Sequence, residues 1–150
     1  MSLDFEGKVA IVTGSGGGIG KGYALELAKR GAKVVVNDLG GAVDGSGGSL
    51  SAAETVVQEI EAAGGEAIAN GANVCSEDDV KNMVKETMEK WGRVDILINN
   101  AGILRDKSFA KMEWSDFVTV VNVHLLGSAL CAHTVFPIMT VSYTHLTLPT

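Results

Sequence analysis

Short apolar runs bounded by glycine alternate along the chain with longer segments of helical period. That rhythm predicts βαβ units around a parallel sheet. Lys8 to Thr13 (KVAIVT) is a β-branched run expected to form the first strand. Gly18 to Arg30 follows, with Tyr23, Ala24, Leu27 and Ala28 expected as its buried face and Gly31 where a helix end takes a left-handed residue. Lys33 to Asn37 (KVVVN) is nearly continuous in apolar residues, as a strand covered on both faces is. After a glycine-rich loop, Ser51 and Glu54 have the spacing of a capping box, opening a second helix with the stripe Val56, Val57, Ile60 and Ala63. Gly64 and Gly65 close it before a third strand at about Glu66 to Asn70. Ser76 can cap a third helix with Val80, Met83, Val84, Met88 and Trp91 inward and Gly92 past its end, and Val94 to Ile98 (VDILI) is the fourth strand. From Ser115 to about Met139 the apolar spacing predicts another helix, with Pro137 near its end.

The elements together predict an α/β chain with a Rossmann-type, doubly wound parallel sheet, of which this sequence holds the N-terminal portion. No repeat or linker divides it, and 150 residues suit one domain in the common range of ~100 to ~200. The expected domain occupies 1–139. In residues 140–150 the rhythm fails and four threonines appear, so this tail is expected to be non-native. Its loss of the next strands leaves VDILI as an expected apolar sheet edge.

Composition narrows the function. A formal charge of −6 without a basic stripe argues against nucleic acid as a partner. No run of ~18 consecutive apolar residues is present, so no membrane span is expected. The chain opens without a basic and apolar leader, which makes the cytoplasm the default location and leaves a peroxisomal one open for a eukaryotic protein. Cys75 and Cys131 read as buried free thiols of a reducing compartment. His124 and His133, nine residues apart on one predicted helix, have no carboxylate or cysteine spacing that would make a metal site.

The strongest local signal is TGSGGGIG, Thr13 to Gly20, between the first strand and the first helix. Gly14, Gly18 and Gly20 allow the turn, let backbone approach a pyrophosphate and bring helix close to strand, while the helix N-terminus offers free N–H groups and its dipole. Asp38 ends the second strand 24 residues after Gly14, near the distance at which an acidic residue reaches the adenosine ribose. Its carboxylate would accept from both ribose hydroxyls and repel a 2′-phosphate. No arginine or lysine in the glycine loop or at Leu39-Gly40 counters it, so NAD is the expected cofactor.

With NNAG (Asn99 to Gly102) read beside TGSGGGIG, the chain resembles the short-chain dehydrogenase/reductase family, over about Phe5 to Met139. The stretches VVVNDLGG and NNAGILRDKSF more narrowly resemble the (3R)-hydroxyacyl-CoA dehydrogenase domains of peroxisomal multifunctional enzymes and their bacterial relatives. The resemblance implies that Ser15 and Ile19 of the glycine loop lie beside the cofactor and that Asn73-Val74 holds the adenine. Asn73 departs from the usual aspartate there. Asn100, Ala101 and Gly102 would line the sheet edge next to ribose and nicotinamide, and Asn122 would hold a water of the proton relay. It further implies a serine that polarises the substrate oxygen, a tyrosine that moves its proton and a lysine four residues on.

Tyr143 does not fit that last role, because Thr147 stands four positions on and no cation follows it. Tyr23 reads as core packing, Trp91 as a helix-end anchor and Trp114 as a packing residue. The family function implied is NAD-dependent oxidation of a secondary alcohol, a hydroxyacyl thioester or related small molecule, in a homo-oligomer, while the chain as written is expected to lack turnover and its own assembly is doubtful. The alternatives are a non-catalytic NAD-binding module or a fragment that does not fold.

Overall fold

The computed structural model describes residues 4–40 and 51–142. The cap expected from the Ser51 side chain, the loop after Gly40 and the chain from Tyr143 onward lie outside them. Four strands, β1 (Val9–Thr13), β2 (Lys33–Asn37), β3 (Glu66–Asn70) and β4 (Ile96–Ile98), alternate with helices α1 (Gly18–Lys29), α2 (Ser51–Ala62) and α3 (Glu77–Trp91). A single 3-10 turn (Phe109–Lys111) leads into a long helical stretch: α4 (Trp114–Val121), a π-helical turn (Asn122–Gly127) and α5 (Ser128–Ser142). The strands are all parallel in the order β3-β2-β1-β4. The chain therefore winds outward from β1 to β3 and then crosses back to place β4 on the other side of β1, which creates a switch point between β1 and β4.

Strand alternation divides the interior in two. Ala10 and Val12 of β1, Val34 and Val36 of β2 and Ala67 of β3 face α1 and α2, burying Ala24, Leu27, Val56 and Ile60. Ile11 and Val35 point the other way, to Val80, Met83 and Val84 of α3 and Cys131 and Val135 of α5. Both faces of β1 and β2 are thus covered, which explains their unbroken apolar runs. The Ser76 hydroxyl accepts from Asp79 N at 3.3 Å and Gly92 ends α3 in the left-handed conformation, both as expected.

Several expectations need correction. Tyr23 is 46% exposed, because the stripe meeting the sheet is Gly20, Ala24, Leu27 and Ala28 and Tyr23 sits about a quarter turn away. Ala63 is exposed just past the end of α2. Trp114 is exposed and stacks on Phe117 with ring centroids 5.0 Å apart instead of entering the core. Trp114–Thr140 is long and apolar enough, by length and composition alone, to cross a bilayer. Strictly consecutive apolar residues are too narrow a criterion for a helix that intersperses Ser, Thr, Asn and His.

Candidate functional site

All four strands end at the same cleft. About 700 Å³ in volume, it is lined by Gly14 and the glycine turn after β1, Asp38 after β2, Ala72 to Cys75 after β3 and Asn100 to Ile103 after β4, with Thr119 and Asn122 on the long helix. This is the carboxyl end of the sheet, at its switch point, where open α/β sheets bind ligands. A larger hollow of about 1060 Å³ opens at the other end of the sheet, among Glu6, Glu26, Arg30 and Gly64. Glu26 and Arg30 there form an ion pair with each other, and no helix N-terminus faces it, so the smaller cleft is the better candidate.

Two glycines shape the turn. Gly14 has φ +62°, and a Cβ on it would come within 2.7 Å of Ala101 Cα. At Gly20 a Cβ would overlap the Gly14 carbonyl oxygen and Asn100 Nδ2, so only glycine lets α1 approach the end of β1 this closely. The N-terminus of α1 has no side-chain cap and no acidic residue in its first turn, which leaves its N–H groups available for an anion. Gly18 lines the cleft beside it, while Ile19, 73% exposed, is not among the residues that line it. Ser15 differs from the expected cofactor contact. Its Oγ donates to Val12 O at 2.7 Å and its N–H to Asn37 O at 2.9 Å, so it braces the turn from below.

The two sequence motifs hold each other. Asn100 Nδ2 donates to the carbonyls of Thr13 (3.0 Å) and Gly14 (2.8 Å), and Thr13 Oγ1 accepts from the N–H groups of Asn100 and Ala101, both at 3.0 Å. Asn99 Nδ2 reaches Ser128 O at 3.2 Å, tying β4 to α5. Asp38 sits beside the glycine turn. Its Oδ2 accepts from Gly16 N at 2.8 Å and its Oδ1 from Gly40 N at 2.7 Å, leaving one lone pair on each oxygen for a ligand hydroxyl. Asn73 Oδ1 accepts from Cys75 N at 2.9 Å and thereby shapes the loop that carries Val74. The structure thus brings Gly14, Gly18, Asp38, Asn73, Val74, Asn100, Ala101, Gly102 and Asn122 to one cleft.

Sequence reasoning missed others. Thr119 precedes Asn122 by one helical turn and shares its face, a signal available from spacing. Cys75 follows Val74 onto the cleft wall and is exposed, contrary to the expected buried thiol, whereas Cys131 is buried and its thiol is pushed up to about 11 by burial, with Cys75 adding to it. Below the site, Asp95 accepts from Val9 N at 2.8 Å and from Arg93 Nη2 at 2.6 Å. Burial raises its pKa, but the Arg93 guanidinium, the Val9 N–H and Lys8 outweigh burial and hold the carboxyl below its ordinary value.

Comparisons with known proteins agree with this geometry. A family model described as short chain dehydrogenase matches residues 8–144. Peroxisomal multifunctional enzyme A of Dictyostelium discoideum is 59% identical over 128 residues, 85% of this chain and 28% of that protein. Peroxisomal multifunctional enzyme type 2 of Drosophila melanogaster is 51% identical over 137 residues, 91% of this chain and 22% of that one. A short chain dehydrogenase from Mycobacterium avium superposes with a TM-score of 0.83 at 44% identity, over 95% of this chain and 50% of its own. A 7α-hydroxysteroid dehydrogenase complexed with NADH and 7-oxo glycochenodeoxycholic acid gives 0.83 at 35%, over 93% and 51%. The chain spans about half the length of these solved relatives and under a third of these curated ones. Its glycine turn, its interlocked β1 and β4 ends and the family match over nearly its whole length place the chain in the short-chain dehydrogenase family.

Proposed function

We propose that the cleft binds NAD in preference to NADP and serves the oxidation of a secondary alcohol, of the 3-hydroxyacyl thioester type. The observation that carries the reading is the contact of Asp38 with Gly16 N at 2.8 Å. It sets an anionic acceptor beside the turn that would hold the diphosphate, where ribose hydroxyls can donate to it and a 2′-phosphate would be repelled. The cleft fits an extended dinucleotide in volume; the missing Cβ atoms of Gly14 and Gly16 let the turn close against Ala101 and the Asp38 carboxylate, while Gly17 and Gly18 border open space.

When bound, the nicotinamide ring supplies or accepts the hydride. The chain's own residues bind and orient. The first turn of α1 holds the diphosphate, the Asn73-Val74 loop flanks the adenine, Asp38 selects the ribose, and Ala101-Gly102 supports the nicotinamide half. Asn122, on the cleft wall in the π turn, is the residue assigned to hold a relay water. Neither tyrosine has a lysine four residues on, since Leu27 follows Tyr23 and Thr147 follows Tyr143, so neither is assigned the proton-transferring role. The thioester substrate class rests on the resemblance carried by VVVNDLGG and NNAGILRDKSF, and the relatives' peroxisomal names support that organelle over the cytoplasmic default.

Calorimetry on the purified chain tests the assignment. NAD should bind at least about tenfold more tightly than NADP, and Asp38→Ala should weaken NAD while erasing the difference. Equal affinities in the unaltered chain would overturn the preference.

A further inference from the structure

The cleft wall after β4 is not held by its strand alone. Gly102 and Ile103 leave the sheet and run past the long helix, where the imidazole of His124 meets them. His124 Nε2 lies 3.1 Å from Ile103 N and 2.9 Å from Ile103 O. A Cβ on Gly102 would fall 2.6 Å from His124 Cε1 and 3.1 Å from Nε2, so the ring occupies the space that glycine leaves. His124 itself sits in the π-helical turn, two residues after Asn122, and does not line the cleft. Such wide turns inside α-helices recur at functional sites.

We propose that His124 is a positioning residue that clamps the Ile103 peptide and thereby fixes the Ala101–Ile103 wall against the nicotinamide half of the dinucleotide. This rests on the NAD reading above, because Asp38 marks the adenosine end and the β4 end is the opposite side of the diphosphate turn. The clamp has a chemical peculiarity. One ring nitrogen faces both a donor and an acceptor of the same residue, and a neutral imidazole satisfies one of them at a time. With Nε2 unprotonated it accepts from the Ile103 N–H; in the other tautomer it donates to the Ile103 carbonyl. The clamp proposed is the first of these, in which Nε2 accepts from the Ile103 N–H and so protects that amide from exchange. A glutamine, whose amide reaches about as far as Nε2 and carries both a donor and an acceptor, can replace the ring. Asparagine, one bond shorter, cannot reach, and leucine offers neither group.

The test compares NADH with ADP-ribose, which lacks the nicotinamide, on the purified chain and its variants. His124→Leu and His124→Asn should weaken NADH about tenfold while leaving ADP-ribose within about twofold, and His124→Gln should keep the original ratio. Hydrogen exchange at the Ile103 amide reads the clamp without any nucleotide: it should be slow in the unaltered chain and in His124→Gln, and fast in His124→Asn. Should His124→Leu fail to fold, the Asn and Gln variants decide alone. Equal NADH to ADP-ribose ratios in those two, or a fast Ile103 amide in the unaltered chain, would overturn the proposal. Failure of the unaltered chain to bind either ligand would instead sink the NAD reading, leaving the exchange measurement to judge the clamp.

Discussion

At the scale of single residues, one carboxylate and two thiols report most directly on the structure. Asp95 accepts from Val9 N and from Arg93, with Lys8 at 3.7 Å, at the point where β4 joins β1. Its folded pKa is depressed, so its contribution to stability is present above the unfolded value of ~3.9 and lost as pH falls through the folded value below it. Asp95→Ala should therefore cost about 1–3 kcal/mol at neutral pH, and the gap to the unaltered chain should narrow below about pH 4 in denaturant titrations. A gap that persists undiminished at pH 3 would contradict the ionised role. The thiols make a second comparison. Alkylation at pH 8 should modify exposed Cys75 in the native chain and reach Cys131, pushed up to about 11 in the core, only on unfolding. Because Cys75 lines the cleft, NAD should slow its labelling, as mass spectrometry of the intact chain would read; labelling indifferent to NAD would place the nucleotide elsewhere.

At the scale of elements, the long helix matters most and was least legible in the sequence. Its apolar spacing predicts one continuous helix, yet the structure inserts a wide turn at Asn122–Gly127. Periodicity cannot reveal it, since one extra residue in a turn leaves a blurred but still helical pattern. Where that turn ends, Gly127 is seated on Val74, and a Cβ there would lie 2.9 Å from Val74 Cγ2 and 3.3 Å from its carbonyl oxygen. The helix and the loop after β3 are thus packed glycine against Val74. Gly127→Ala should lower stability by about 1–3 kcal/mol and weaken NAD as well, because the loop cannot yield without moving Asn73 and Cys75. Thermal melts with and without NAD would measure both effects, and an unchanged melting temperature would mean the helix shifts freely. By contrast α3 was fully legible: its Ser76 cap, its apolar stripe and Gly92 are all local signals, and local signals survive folding.

At the scale of the whole molecule, the four strand ends line one cleft, so a dinucleotide bound there should couple to global stability. A dinucleotide at about a hundred times its dissociation constant should stabilise the chain by ~2.7 kcal/mol, read as a raised melting temperature, and Asp38→Ala should remove most of that gain. If NADP raised the melting temperature as much as NAD at equal concentration, Asp38 would not be the selecting group.

The sequence by itself determined the strands, the first three helices and the two interlocking motifs, because apolar period, glycine at turns and caps act over a few residues. It also placed Asp38 beside the glycine turn, a position that follows from distance along one βα unit. It misjudged Tyr23 and Ala63, whose burial depends on a quarter turn or one residue, and it left His124 as a helix histidine of no consequence. Only the tertiary structure decided that Ser15 is buried beneath the turn, that Cys75 faces the cleft and that His124 meets Ile103, 21 residues away in the chain. Ser15 is set by the meeting of β1 and β2, where Asn37 O accepts its N–H, and His124 by the packing of the long helix against the chain after β4; these are contacts between distant segments that no local pattern encodes.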